Sequence, residues 1–286
     1  MKKNENIDLK NMNTFHISTV AENFYIPENE NDMLLLLEKL KDEKYYILSG
    51  GSNILLNDEK IYKNVISMEK IDNSIAKIGD DIFYIGSSNR IQRVINEINK
   101  LGYGGIEELY SLPAMFGGII YMNAGIGGRN NTLFSISQFI KRVKVISKRD
   151  KKITWVKKED CNFEYRKSIF QDNEYIILGA ECEFYKQDIN KSKERITNRI
   201  NSFSKKQDMG RGTFGTVFST SSPKLLKLVS IIKFSSGGIR FGKKNSNWFV
   251  NNGGGTYKDT MRLIKLCRIM HKIFHKPIEC EVQIWE

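Results

Sequence analysis

The densest cluster of glycines constrains the fold of this chain more than any other feature. Between Leu101 and Asn130 the sequence reads LGYGGIEELYSLPAMFGGIIYMNAGIGGRN, with eight glycines around an apolar run. Glycine costs conformational entropy on folding, so a folded chain retains it where the backbone turns sharply or approaches another group closely. The apolar residues argue against a flexible linker, which would be polar. Two interpretations remain open: backbone lying against a flat or phosphorylated ligand, or a cluster of tight turns between core strands.

A second glycine segment follows a short apolar run that predicts a strand, Lys44–Leu48. The strand leads directly into Ser49-Gly50-Gly51-Ser52-Asn53. Bare backbone N–H groups beside small polar side chains are typical of an anion-binding nest, although an ordinary glycine turn has the same composition. No GxGxxG pattern opens a helix after a strand, so the sequence does not indicate a Rossmann nucleotide site.

Composition and charge narrow the class of protein. The 286 residues are 40% hydrophobic and 27% charged, as in an ordinary globular protein. The net charge of +12 would suit nucleic acid or a polyanionic small substrate, or would reflect a composition rich in Lys, Asn and Ile. Because the lysines are spread over the whole length and no nucleic-acid motif occurs, we expect no nucleic-acid partner.

The remaining bulk features predict a cytoplasmic protein without a metal. No apolar run reaches the roughly 18–20 residues that cross a bilayer, and the N-terminus lacks the apolar core of a secretory signal, so we expect no membrane partner. The four cysteines and three histidines are too scattered for a zinc site. His271 and His275 are expected to be exposed near a helix C-terminus.

Periodicity predicts a strand-rich α+β protein rather than regular βαβ units. Strands are predicted at 65–68, 82–85, 139–147, 152–156, 175–184 and 278–284. Helices are predicted after Asn31-Asp32, after Ser87 or Ser88 with a stop at Gly102, over 188–206, from Ser222-Pro223, and from Thr256 with Asp259 as a capping box. A domain boundary is placed near Tyr185–Ser192.

Three further positions carry chemistry that these elements do not explain. Arg166 follows Tyr165 in NFEYRKSIF, which fits an arginine held by neighbouring rings against an anion, or a plain surface arginine. Thr216 lies between Gly215 and Val217, outside the predicted helix start. In the last strand the alternation turns Glu279, Glu281 and Gln283 away from the core, where acidic residues are either solvated or line a cleft.

Taken in order, these motifs resemble the UDP-N-acetylenolpyruvoylglucosamine reductase family over nearly the whole chain. The segments that carry the resemblance are SGGSNILL (49–56), GIEELYSLPAMFGGIIYMNAG (105–125), YRKSIF (165–170), GTVF (215–218), NSNWFVN (245–251) and IECEV (278–282). The resemblance implies an α+β fold: an FAD-binding two-subdomain unit of the vanillyl-alcohol-oxidase/PCMH type, followed by a smaller α+β substrate-binding domain. It implies domains at 1–75, 76–187 and 188–286, and the shorter family form without a third-domain insertion.

The resemblance also implies the ligand-binding residues. FAD is expected to contact Ser49, Gly50, Gly51, Ser52, Asn53, Pro113, Gly117, Gly118, Asn123, Ala124 and Gly125. Substrate is expected to contact Tyr165, Asn245 and Asn247. NADPH is the expected co-substrate, and the protein is expected to be a monomer.

The implied reaction completes UDP-N-acetylmuramate for peptidoglycan synthesis. NADPH reduces FAD and leaves, and the enolpyruvyl ether of UDP-N-acetylglucosamine then receives hydride from flavin N5. Arg166 and Glu281 would stabilise the resulting enolate, with Glu281 protonated or bridged to the substrate carboxylate, and Thr216 would protonate the adjacent carbon. The alternative is an FAD-binding relative that has lost or changed its substrate.

The chain departs from the family pattern at several positions. The proton donor is normally serine, and Thr216 keeps the hydroxyl but adds a methyl group that restricts χ1. The segment Ser219–Pro223 is two residues longer than the usual one and lacks its base and its amide. Asn245 stands where histidine is common, Ser18-Thr19 replaces a double glycine, and Ser49 replaces the first glycine of a triple.

Overall fold

The computed structural model of the chain describes residues 1–128, 131–208 and 211–286. Arg129 and Asn130 of the glycine-rich stretch, and Gly210, lie outside the described residues. The chain divides into two compact units, each built from non-consecutive segments. The first comprises Met1–Glu5, Asn23–Gly50 and Lys63–Asn201, and the second comprises Asn6–Glu22, Gly51–Tyr62 and Ser202–Glu286. The three consecutive domains expected from the sequence stay a prediction.

The strands, numbered in chain order, are short and numerous. They are β1 Lys2–Asp8, β2 Val20–Ile26, β3 Tyr46–Leu48, β4 Ile54–Leu55, β5 Tyr62–Ser67, β6 Ile75–Lys77, β7 Ile82–Gly86, β8 Tyr103–Gly104, β9 Gly125–Gly128, β10 Asn131–Ser135, β11 Ile140–Ser147, β12 Lys152–Lys157, β13 Tyr175–Glu183, β14 Tyr185–Lys186, β15 Phe218–Thr220, β16 Ser235–Ser236, β17 Ile239–Phe241, β18 Phe249–Asn251, β19 Glu279–Cys280 and β20 Gln283–Ile284.

The α-helices of the described residues are fewer. They are α1 Glu30–Lys39, α2 Ile91–Lys100, α3 Phe116–Tyr121, α4 Ile189–Lys206, α5 Pro223–Ile232 and α6 Tyr257–Ile273. Short 3-10 helices lie at Lys10–Met12, Glu107–Leu109, Ile136–Gln138, Lys158–Cys161 and Ile169–Asp172. No helix in the described ranges is long and apolar enough to cross a membrane.

Two sheets organise the first unit. A five-stranded antiparallel sheet has the order β12-β11-β13-β7-β6, and a four-stranded sheet, which the first unit holds for the most part, has the order β1-β2-β5-β3. Long apolar strands fill the five-stranded sheet, with Val143 opposite Ala180 and Ala180 opposite Ile85. All three side chains are fully buried beside α2 and α3, in a core that also holds Phe83 and Ile120.

The second unit combines small sheets with α5 and α6. Its strands form a three-stranded sheet β16-β17-β18, an antiparallel pair β15-β19 and a parallel pair β20-β4. Phenylalanines make the core, and the rings of Phe241 and Phe249 lie edge to face at 5.0 Å between centroids. Phe218 and Phe214 pack on Phe249 at 6.4 and 6.5 Å.

Of the predicted helix starts, two are confirmed and two are wrong. The capping box of Thr256 and Asp259 is confirmed, and α5 starts at Pro223 as predicted. The cap of α1 is Asn29, whose Oδ1 accepts from the N–H of Asp32 at 2.9 Å, not Asn31-Asp32. The predicted cap of α2 is also wrong: residue 90 is the N-cap, and Ser88 Oγ instead donates to the carbonyl of Met68 at 2.5 Å.

The C-terminal strand and His271 differ from prediction for tertiary reasons. The single strand 278–284 is split into β19 and β20, because the first piece pairs with β15 and the second pairs in parallel with β4. His271 is fully buried rather than exposed. Its Nε2 accepts from the N–H of Ser222 at 2.9 Å and its Nδ1 lies 2.8 Å from the carbonyl of Cys267.

Candidate active site

In the first unit, the glycine loop after β3 packs against the start of α3. The Oγ of Ser49 is buried without a hydrogen-bond partner among the described residues. A Cβ on Gly50 would lie 3.2 Å from the backbone N of Met115, and one on Gly117 would lie 2.9 Å from the Cβ of Ser87. Both glycines are therefore explained by close backbone packing.

Gly118 is not explained in that way. A Cβ at Gly118 would meet only the side chain of Ser49, with Oγ at 3.5 Å and Cβ at 3.9 Å. The backbone of Gly118 therefore lies next to the buried, partnerless hydroxyl of Ser49. Of the two interpretations of the glycine-rich stretch, close packing accounts for Gly117, and a ligand-facing backbone is favoured at Gly118. Pro113, also predicted to bind cofactor, is exposed ahead of α3.

Arg166 is held in the first unit by the turn that follows α3. Its guanidinium donates to the carbonyls of Gly125 at 2.6 Å and Asn123 at 3.4 Å. The guanidinium carbon lies 4.9 Å from the ring centroid of Tyr165, so the predicted ring contact is present. The backbone of Arg166 is left-handed, with φ 58°, a conformation that only surrounding contacts maintain in a non-glycine residue.

The Asn-Ala-Gly turn that receives Arg166 is itself fixed by hydrogen bonds. Asn123 is buried with φ 41°, and its Nδ2 donates to the carbonyl of Glu164 at 2.8 Å. Ala124 donates its N–H to the carbonyl of Ile119 at 2.9 Å. A Cβ at Gly125 would overlap the backbone oxygen of Phe134, so only glycine fits there.

Two side chains that were not among the predicted site residues hydrogen-bond to the backbone at or near this arginine. Ser168 Oγ donates to the carbonyl of Tyr121 at 2.8 Å, and Gln171 Nε2 donates to the same carbonyl at 3.0 Å and to that of Arg166 at 2.9 Å. Ser168 lies inside the motif YRKSIF and was visible there, whereas nothing in the sequence marks Gln171. Burial raises the pKa of Tyr121, so its phenol stays neutral at the end of α3.

In the second unit, the loop residues Gly51–Asn53 are bound to their own neighbours. Gly51 has φ +62°, and a Cβ there would overlap the carbonyl oxygen of Met12. Its own carbonyl accepts from the N–H of Thr14 at 3.0 Å. Ser52 is half-buried, and Asn53 Nδ2 donates to the carbonyl of Glu281 at 3.1 Å.

Thr216 and Glu281 are brought together by backbone pairing. The N–H of Glu281 donates to the carbonyl of Val217 at 2.8 Å, and Thr216 forms an isolated antiparallel bridge with Trp248. Both Thr216 and Glu281 are half-buried. Glu281 lies in the break between β19 and β20, so it belongs to neither strand.

Asn245 and Asn247 support the Thr216 segment. Asn247 Oδ1 accepts from the N–H of Phe218 at 3.0 Å, and its Nδ2 donates to the carbonyl of the same residue at 2.8 Å. The carbonyl of Asn247 also accepts from the N–H of Val217 at 2.9 Å. Asn245 Oδ1 accepts from the N–H of Asn247 at 2.9 Å. Their predicted contact with substrate stays a prediction, and the amide of Asn247 already has a backbone role.

Each unit therefore gathers its own set of the expected site residues from distant parts of the sequence. The first unit holds Ser49, Gly50, Pro113, Gly117, Gly118, Asn123, Ala124, Gly125, Tyr165 and Arg166. The second unit holds Gly51, Ser52, Asn53, Thr216, Asn245, Asn247 and Glu281.

The fold has a solved counterpart. The structure aligns over 100% of its length with 98% of the crystal structure of UDP-N-acetylenolpyruvylglucosamine reductase (MurB) from Thermus caldophilus, with a TM-score of 0.77 and 21% identity. This likeness confirms the predicted α+β fold class.

Sequence relatives of the chain share one name. Curated proteins named UDP-N-acetylenolpyruvoylglucosamine reductase match at 29% identity in Thermotoga maritima, over 86% of this chain and 86% of the relative. They match at 29% in Pelagibacter ubique, over 94% and 89%, and at 28% in Prochlorococcus marinus, over 98% and 96%. No family model matches the chain. The chain is therefore similar, over most of its length, to proteins named UDP-N-acetylenolpyruvoylglucosamine reductase.

Proposed function

We propose that this protein is an NADPH-dependent flavoenzyme that reduces the enolpyruvyl ether of UDP-N-acetylglucosamine-enolpyruvate to UDP-N-acetylmuramate. The observation that carries the proposal is the match to reductases of one name along nearly the full length of both chains. The hydrogen-bonded frames around Arg166 in one unit and around Thr216 and Glu281 in the other support it.

The residues of the first unit fit FAD. The buried hydroxyl of Ser49 lacks a partner among the described residues and lies beside the bare backbone of Gly118, which leaves a hydroxyl and a stretch of uncovered peptide as a surface for a ligand. Such a surface accepts a flat or phosphorylated group because no side chain intervenes. When bound there, FAD would supply the hydride chemistry, with NADPH as the source of electrons.

Arg166 would bind the carboxylate of the substrate. The carbonyls of Gly125 and Asn123 and the ring of Tyr165 fix its guanidinium, so little side-chain entropy is lost when an anion binds. A fixed cation beside the carboxylate stabilises the negative charge that develops when the vinyl bond is reduced. Glu281 would share that carboxylate through a proton.

Thr216 would donate a proton from Oγ1 to the carbon next to the carboxylate. The bridge with Trp248 and the bond between Glu281 and Val217 hold its backbone on both sides. The extra methyl group of threonine limits χ1, so the hydroxyl is available only if the allowed rotamer points toward the substrate. Activity with threonine would therefore depend on the rotamer of its side chain.

The decisive experiment measures oxidation of NADPH at 340 nm by purified, FAD-loaded protein. Addition of UDP-N-acetylglucosamine-enolpyruvate should stimulate turnover and yield UDP-N-acetylmuramate. A yellow protein that the substrate does not stimulate would contradict the proposal and would indicate the alternative, an FAD-binding relative with lost or altered activity. A colourless protein that cannot be reconstituted with FAD would contradict both.

The Thr216→Ala variant tests the role of the hydroxyl. It should abolish product formation yet leave reduction of FAD by NADPH intact, because only the second half-reaction needs the proton. Thr216→Ser is the matched control and should retain product formation. Loss of both half-reactions in Thr216→Ala would show that Thr216 has a structural role.

A further inference from the structure

In the second unit, α5 and α6 pack in opposite directions and leave a groove between them. The N–H of Ser222 at the start of α5 donates to His271 near the end of α6. At the other end, a cavity of about 500 Å³ is lined by Ile232, Lys233 and Ser236 after α5 and by Arg262, Leu263 and Leu266 of α6. We refer to these six lining residues as the α5–α6 groove.

Exposed aliphatic side chains border this groove on both helices. On α5, Leu228, Ile231 and Ile232 are 39%, 70% and 63% exposed, and on α6, Ile269 and Ile273 are 44% and 60% exposed. Spacings of three and four residues place each set on one face of its helix. Ile232 itself lines the groove, and Ile269 lies one turn beyond the lining residue Leu266, so both faces reach the groove at one end. Exposed aliphatic side chains clustered beside a cavity are typical of an interaction site.

The exposed charged residues of α5 and α6 are basic. Asp259 is the only acidic residue within α5 and α6, both of which the structure describes completely, and it is buried and pairs with Arg262 at 3.4 Å. Lys258 pairs with Glu59 at 2.8 Å. Lys227, Lys265 and Lys272 have no ion pair among the described residues. An apolar groove with a basic rim complements an acidic, partly apolar partner.

We propose that the α5–α6 groove docks an acidic amphipathic helix of a partner protein. The apolar face of that helix would enter the groove with side chains spaced i, i+3/i+4 and i+7, and its carboxylates would face the lysine rim. A second copy of this chain is disfavoured because two basic rims would repel each other. A flat lipid surface is disfavoured because it offers no projecting side chain for a concave groove. The proposal does not depend on the proposed reductase activity.

The test uses three fluorescein-labelled 16-residue helical probe peptides and the full chain. The first has Leu and Phe on one face and Glu elsewhere, the second is the same composition scrambled around the helix, and the third replaces every Glu with Lys. Fluorescence anisotropy should show saturable binding of the first peptide only, weakening as salt is raised. Failure of the first peptide to bind, or equal binding of all three, would overturn the proposal.

Variants locate the binding surface. Ile231→Asp and Ile269→Asp should each weaken binding of the acidic probe on the order of tenfold or more, because each buries a charge in an apolar contact. Leu35→Asp is the matched control, since Leu35 is also 70% exposed and lies within a helix, α1, of the first unit. Equal weakening by Leu35→Asp would refute the assignment.

Two further measurements exclude the other occupants. Size-exclusion chromatography without peptide should give a monomer, and a dimer that Ile231→Asp dissolves would make a second copy the occupant. Sedimentation with phosphatidylglycerol vesicles should leave the chain in solution. Binding to vesicles that both Asp variants abolish would assign the groove to an anionic lipid surface and overturn the proposal.

Discussion

Replacing Asn247 with alanine tests how the Thr216 segment is held. The variant removes both side-chain hydrogen bonds to Phe218, at 3.0 and 2.8 Å. It leaves the N–H and carbonyl of a residue that is only 2% exposed without these partners. Each orphaned buried group costs about 1–3 kcal/mol, and these bonds are partly buried, so we expect a loss of roughly 2–4 kcal/mol in the free energy of unfolding.

The assay is urea unfolding followed by tryptophan fluorescence, which reports on Trp248 next to the altered site. Asn247→Asp should lose about half as much, because it keeps the acceptor for the N–H of Phe218 but lacks the donor for its carbonyl. Asn190→Ala, at an exposed position of α4, is the control and should stay within about 0.5 kcal/mol of the parent.

Two results would refute this reasoning. An Asn247→Ala variant that unfolds within about 0.5 kcal/mol of the parent would mean that the two bonds contribute nothing net. Equal losses in the alanine and aspartate variants would mean that the bond from Nδ2 has no separate value. If the variant folds but the KM for the enolpyruvyl substrate alone rises, Asn247 contacts substrate, as the resemblance implied.

Three further perturbations test other parts of the structure. Gly51→Ala should lower the free energy of unfolding in urea by at least about 2 kcal/mol, because the backbone at Gly51 is left-handed and the new Cβ would overlap a carbonyl oxygen. Gly128→Ala is the control and should be neutral, because a Cβ there would meet no atom within 4 Å. Arg166→Lys should lower substrate-dependent kcat on the order of a hundredfold, since lysine cannot bind both turn carbonyls, and unchanged kcat would contradict its role. Burial raises the pKa of Cys161 and of Cys267 to about 12, so little thiolate is present at pH 8. Iodoacetamide should therefore label neither cysteine in the native protein, as read by mass spectrometry. Rapid labelling before unfolding would show that the surroundings of these cysteines open to solvent.

The sequence predicted the start of a helix correctly where the capping residues and the helix they cap are neighbours in the chain. The capping box at Thr256 and the proline start of α5 involve residues within four positions of each other, and both are present. The cap of α2 failed for the opposite reason. Ser88 is a good capping residue, yet Met68 and Asp72, which are 20 and 16 positions away, take up its hydroxyl.

In the candidate site, too, the sequence suggested some residues, while the contacts of others depend on the folded structure. The ordered motifs led to the prediction, which stays a prediction, that Arg166 and Thr216 carry the chemistry, because the family resemblance implies those roles. Nothing in the sequence placed Gln171 on the backbone of Arg166, or Asn247 on the backbone of Phe218. Amides are common and bind almost any backbone group, so their partners depend on the folded neighbourhood.

The sequence alone determined the fold class and the places where the backbone needs glycine, because these depend on the order of motifs and on backbone conformations that only glycine adopts readily. Tertiary structure decided which segments share a unit. Asn6–Glu22 and Gly51–Tyr62 join the C-terminal segment, and the final strand breaks at Glu281 because its two halves pair with β15 and β4. Strand pairing over more than 200 residues is set by the whole folded unit, and no local pattern records it.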